Sequence, residues 1–212
     1  MNLLSVPLSA LWLTFAFSLA PIRSMADDLT YLDDLSFVGN GCDHGSAHAT
    51  LAPDGQTLSV AFDDFEAEAG GTTRRTVQNQ ACRIEIPVAL APGWSFAVAH
   101  ADYRGFLSLP SGGRAAFRAH HRWRNQRVLA SQGVYKRYAG PYDGDFGSVD
   151  EPAIGHDPAA LVWSPCGGKT SLFVYARLSV ATNRHREQSY AKFDSVDLKQ
   201  KATFRLTARR CK

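Results

Sequence analysis

The ten residues from Ser171 to Val180, SLFVYARLSV, put Leu172, Val174, Ala176, Leu178 and Val180 at every second position. That period of two belongs to a strand with one face in a core and the other toward solvent. The same period recurs on both sides. Toward the N-terminus, Arg114 to Arg124 sets Phe117, Ala119, His121 and Trp123 against Arg118, His120, Arg122 and Arg124. Cys82 to Leu90 aligns Ile84, Ile86, Val88 and Leu90, although Pro87 lacks an amide donor and predicts a sheet edge or a bulge. Gln56 to Phe62 carries Leu58, Val60 and Phe62, and Ala202 to Arg209 carries Phe204, Leu206 and Ala208. No apolar period of 3.6 persists for three turns after residue 26, so the expected fold is all-β: an antiparallel two-sheet sandwich, jelly-roll-like or immunoglobulin-like.

Turns punctuate these strands. Pro53-Asp54-Gly55 separates Ser46 to Ala52 from Gln56 to Phe62, Ala91-Pro92-Gly93 separates Cys82 to Leu90 from Trp94 to Leu109, and Ser111-Gly112-Gly113 precedes Arg114. Phe65 to Gln80, Tyr142 to Asp157 and Asn183 to Gln188 read as polar loops. On the Trp94 strand, strict alternation puts Phe96, Val98, His100, Asp102 and Arg104 on one face, with Tyr103 among alanines on the other.

Residues 1–26 read as a secretory signal. Leu8 to Ala20 is a 13-residue apolar run, too short to cross a hydrocarbon core of about 30 Å comfortably, and Ser24 and Ala26 are small residues suited to peptidase cleavage before Asp27. The remaining 186 residues (212 − 26) suit one domain, residues 27–212, and no linker or repeat divides them. Their formal charge is 22 − 20 = +2, because Arg23 leaves with the signal. So weak a positive charge does not call for nucleic acid as partner. Export to a secreted or periplasmic location lets Cys42, Cys82, Cys166 and Cys211 oxidise, in any of three pairings. Cys42 with Cys82 and Cys166 with Cys211 is the expected set. Zinc is the rival, but no C-x-x-C spacing occurs.

Several strings recur together: Gly41-Cys42 with Gly45-Ser46-Ala47, Leu51 to Thr57, Phe62-Asp63-Asp64-Phe65, Pro92-Gly93-Trp94, Asp102-Tyr103-Arg104-Gly105, Gly140 to Asp145, Trp163 to Gly167, and Arg210-Cys211. In order and spacing they resemble the domain of unknown function 4360 family, small secreted proteins of bacteria and fungi. The resemblance implies a secreted, cysteine-containing β domain and carries no activity. Two features depart from the family pattern: Asp43-His44 stands where proline is common, and the basic strand Arg114 to Arg124 replaces a more neutral segment.

Five clusters bear on chemistry. Arg114, Arg118, His120, Arg122 and Arg124, with Arg127 beyond, form a guanidinium stripe suited to sulfate, phosphate or carboxylate; such a stripe also protects an edge strand from aggregation. His100, Asp102 and Arg104 form a ladder that either orients a substrate or is an ion pair beside a solvated histidine. Asp63, Asp64, Glu66 and Glu68 offer paired carboxylates for glycoside hydrolysis, or a wet acidic loop. Asp143, Asp145, Asp150 and Glu151 are hard oxygen ligands without EF-hand spacing, and His44 with His48 falls short of a zinc shell. No nucleophile elbow, zinc-peptidase helix, phosphate loop or dinucleotide fingerprint occurs, and no cofactor is expected. The leading expectation is a non-catalytic binding module for anionic polysaccharide or another envelope component, with Arg118, His120, Arg122, Arg124, His100, Asp102 and Arg104 as candidate contacts. An extracellular polysaccharide hydrolase and a structural cell-surface protein are the alternatives.

Overall fold

The computed structural model describes residues 29–31, 35–43, 45–126, 132–150, 161–193 and 202–211. The expected signal, His44, Arg127 and Glu151 lie outside the described residues. Among the described residues there are thirteen strands: β1 (Leu29–Tyr31), β2 (Ser36–Val38), β3 (Ala47–Leu51), β4 (Thr57–Phe62), β5 (Phe65–Ala69), β6 (Val77–Leu90), β7 (Trp94–Leu109), β8 (Arg114–Trp123), β9 (Gln132–Ala139), β10 (Tyr142–Asp150), β11 (Gly168–Ala181), β12 (Ser189–Phe193) and β13 (Ala202–Arg210). All ladders are antiparallel, in two sheets. The six-stranded sheet runs β1-β6-β11-β8-β9 with β2 also on β6; the seven-stranded sheet runs β3-β4-β13-β7-β12-β5 with β10 on β7. The chain is a disulfide-bonded β-sandwich, and consecutive strands change sheet at β2–β3, β5–β6, β6–β7, β7–β8, β9–β10, β10–β11 and β11–β12.

The period-two residues are what hold the sheets face to face. Ile84 and Ile86 on β6, Phe117 on β8 and Leu172, Val174 and Leu178 on β11 meet Phe62, Phe65, Phe96, Tyr103, Phe193 and Phe204 of the other sheet, all buried. Removing such side chains from water stabilises the fold by roughly 1.5–3 kcal/mol each. Rings interlock there: Phe117 stacks on Phe193 at 5.4 Å, and Tyr103 packs edge-on to Phe204 at 5.9 Å. The Tyr103 hydroxyl lies 3.4 Å from His121 Nδ1, a polar link across the sandwich. Burial first, and then nearby Asp150, raises the pKa of Tyr103.

Three expectations need correction. Phe65 to Gln80 and Tyr142 to Asp157 are not loops throughout: β5, the start of β6 and β10 lie inside them, and residues 151–157 lie outside the described residues. Inward positions there are filled by alanines, such as Ala67 and Ala69, or by Gly144 and Ser148, so the apolar signal is diluted. Pro87 is not at an edge, because β6 pairs on both sides; it falls between the stretches bound by β1 (Val88 to Leu90) and β2 (Arg83 to Glu85). Finally, β7 does not alternate strictly. Its register with β13 shifts from Arg205 opposite His100 to Leu206 opposite Val98, so Ala99 is a bulge. The surplus residue lets Phe96 and Val98 face the core while His100, Asp102 and Arg104 face outward.

Candidate functional site

The outer face of the six-stranded sheet holds a groove of about 320 Å³ lined by Val38, Ala81, Cys82, Arg83, Arg118, His120, Tyr175, Ala176 and Arg177. Three ladders assemble it. Opposite Arg118 on β8 stands Arg177 of β11, and opposite His120 stands Tyr175. Tyr175 in turn is opposite Arg83 of β6, which is opposite Val38 of β2. Because directly opposed residues share a face, these side chains form two adjacent rows across the sheet.

The His120 and Tyr175 rings are stacked, 4.4 Å apart and 8° from parallel. On the far side of His120 the partner is Gly133 of β9, where an added Cβ would lie 2.6 Å from the His120 Cβ and 2.2 Å from the Ala119 oxygen. Only glycine lets β9 close there. Arg83, Arg118 and Arg177 are exposed, and among the described residues none of them meets a carboxylate within salt-bridge distance. Opposed like charges on adjacent strands repel, so the Arg118–Arg177 pair favours an anion between them. Burial, and then Arg118 and Arg122, push the His120 pKa below its ordinary value.

Arg122 and Arg124 of the basic stripe are spoken for. Arg122 donates to the Tyr175 hydroxyl at 3.0 Å and to the Gln126 carbonyl at 3.2 Å, with its guanidinium 4.8 Å above Phe173. Arg124 is paired with Glu85, and Ser171 donates to the same carboxylate at 2.7 Å. Tyr135, opposite Arg118 on β9, accepts from Arg137 at 2.7 Å and adds an exposed ring to the face. The edge-protection reading of the stripe fails, because β8 lies between β11 and β9. Sequence reasoning missed Arg83, Tyr175 and Arg177. Each occupied an outward position of a recognised strand, but their convergence depends on the order β6-β11-β8, which no local pattern encodes.

The other candidates are dispersed. His100, Asp102 and Arg104 stand on the outer face of the seven-stranded sheet, outside this groove, and Arg104 binds Asp102 through Nε and Nη2 at 2.7 Å. That bond raises the Arg104 pKa, chiefly as a hydrogen bond and then through charge. Three of the four acidic residues have partners: His48 is 3.2 Å from Asp63, Tyr190 donates to Glu66 and Gln188 to Glu68, both at 2.8 Å. Asp143 and Asp145 point outward on β10, opposite Ser108 and Phe106, whereas Asp150 lies opposite inward-facing Ala101. They do not form one ligand set, and no cluster of three or more His, Cys, Asp or Glu suited to a metal occurs among the described residues. No helix among the described residues is long and apolar enough to cross a membrane.

Both disulfides pair as expected. Cys42–Cys82 is buried beneath the groove, and Cys166–Cys211 joins the segment before β11 to the end of β13. A second groove of about 370 Å³ flanks the latter, lined by Ser95, Ser164, Arg209 and Arg210 as well as the two cysteines. Arg209 lies 4.0 Å over Trp163 and Arg210 4.6 Å over Trp94.

Fold, cysteine pairing and the basic outer face define a disulfide-bonded antiparallel β-sandwich with a cationic, aromatic groove. The chain belongs to the family described as domain of unknown function (DUF4360), whose profile matches residues 29–211. It is 24% identical over 184 residues, 87% of this chain and 73% of the relative, to an uncharacterized secreted protein of Arthroderma benhamiae. Among solved structures it is similar to a carbohydrate-binding module in complex with β-1,4-galactotriose, at 9% identity and a TM-score of 0.25, covering 84% of this chain and 90% of that one. A family 11 carbohydrate-binding module of Clostridium thermocellum aligns with 74% of this chain and 96% of its own, at 8% identity and a TM-score of 0.16.

Proposed function

We propose that this is an exported, non-catalytic binding module that holds an anionic glycan on the outer face of the six-stranded sheet, after residues 1–26 are removed and with residues 27–212 acting as one domain. The observation that carries the reading is the His120–Tyr175 stack beside Arg83, Arg118 and Arg177. The stacked rings line the groove as an aromatic wall against which the apolar face of a sugar ring packs, and the sugar's carboxylate or sulfate takes the guanidinium hydrogen bonds. Export is supported by the two disulfides and by the secreted relative.

The test is retention on immobilised heparin and on polygalacturonate. Retention is expected at low salt, fading as salt screens the guanidinium groups. It should weaken about 100-fold with Arg118→Ala plus Arg177→Ala, since a hydrogen bond to a charged group contributes about 1.5–3 kcal/mol. Unchanged retention in that double variant rejects the reading. The hydrolase alternative has less behind it: Asp102 is engaged by Arg104, and three of the four acidic residues of the β4–β5 region bind their own neighbours.

A further inference from the structure

His120 stands in an unusual position for a titratable ring. On its own strand Arg118 and Arg122 flank it on the same face, Tyr175 stacks on it from β11, and Arg177 lies diagonally across that ladder. From β9 it meets Gly133, with Tyr135 and then Arg137 further along, and beyond Tyr175 stands Arg83 of β6. The one carboxylate on this face among the described residues, Glu85, is taken by Arg124 and Ser171. The ring is therefore surrounded by cations, half-buried, and part of the wall that a ligand would touch.

Resting on the anionic-ligand reading above, we propose that the groove takes up a proton at His120 as it binds its ligand, so that binding strengthens in acid. Burial first, and then repulsion from Arg118 and Arg122, holds the free ring's pKa below its ordinary value. An anion seated across Arg118 and Arg177 offsets that repulsion and itself attracts an imidazolium, so the bound protein holds the proton more tightly than the free one. Linkage fixes the sign: binding is weakest above the pKa of the bound form and grows as pH falls through it, levelling off below the pKa of the free form. Each unit by which the ligand raises that pKa adds at most about tenfold in affinity. The imidazolium stays compatible with the stack, because a cation over a tyrosine face is attracted to it.

The experiment measures heparin affinity from about pH 8 to about pH 5.5, a range in which sulfate and carboxylate groups remain ionised and the ligand contributes no titration of its own. The expected gain is about threefold to tenfold in the unmodified protein, and it should flatten in His120→Phe, which keeps a stacking ring without the proton. Ring signals of His120, assigned by their absence from the His120→Phe spectrum, should titrate at higher pH when heparin is present. Retention whose pH slope survives in His120→Phe, or a His120 midpoint that heparin leaves in place, overturns the proton uptake and leaves the glycan reading standing. Loss of retention at every pH defeats both.

Discussion

The two outer faces of this sandwich dispose of their charged side chains differently. On the seven-stranded sheet, Arg104 folds onto Asp102 two residues away, His48 meets Asp63, and Lys192 stands directly across from Glu66. On the six-stranded sheet, Arg118 stands across from Arg177 and beside Arg83, and the nearby carboxylate Glu85 serves Arg124. Part of the difference is content, since Glu85 is the one carboxylate on the six-stranded face among the described residues while Glu66, Asp102, Asp143 and Asp145 stand on the other. The rest is which side chain the ladder places opposite which, so the charge offered to a ligand depends on both.

The largest expected effect tests whether groove and sheet are one object. Replacing Cys42 and Cys82 with alanine should cost about 4 kcal/mol in denaturant unfolding, from the 40-residue separation, and abolish heparin retention, because Cys82 lines the groove. Replacing Cys166 and Cys211, with a separation of 45, should cost a similar amount yet leave the folded fraction bound to heparin. Equal loss of retention in both would break the contrast. Next, Arg104→Ala plus Arg205→Ala on the seven-stranded face should change heparin affinity by less than about threefold, set against about 100-fold for the Arg118 and Arg177 pair. Matching losses would mean that bulk charge alone attracts the polymer. Glu85→Gln sharpens the comparison from the other direction: it releases Arg124 and should raise heparin affinity about threefold in a binding titration.

The smallest effect lies at Asp150, whose pKa is raised by burial and partly restored by His100. A carboxyl with a raised folded pKa binds its proton more tightly in the native state, so its ionisation costs stability as pH rises through that value. Asp150→Asn should therefore stabilise the protein at neutral pH, by less than about 1 kcal/mol because the group is half exposed, and the gain should vanish in acid. Thermal melts at two pH values read this directly.

Strands with branched or aromatic inward residues were legible in the chain, as β4, β6, β8, β11 and β13 show. Those with alanine or glycine inward were not, which is why β5 and β10 read as loops. The bulge at Ala99 was hidden for a different reason: alanine fits either face, so nothing in AVAHADY marks where the alternation slips. Of the groove, β8 supplied Arg118 and His120 to a reader of sequence, since the outward row was plain. Arg83, Tyr175 and Arg177 come from strands far away in sequence, and their meeting is a matter of long-range pairing.

Gly39 and Asn40 hold the wall of the groove as firmly as any charge within it. A Cβ at Gly39 would sit 2.0 Å from the Ala81 oxygen, Asn40 accepts from the Ala81 amide and donates to the Asn79 oxygen at 2.9 Å each, and Cys42 is then in place to join Cys82. The turn that carries Val38 is thus clasped to β6 immediately before the sulfur bond that locks it. A newly made chain still in a reducing cytosol would carry the guanidinium groups without that lock. On the proposed export, oxidation would then act as a maturation step that sets the ligand-gripping shape.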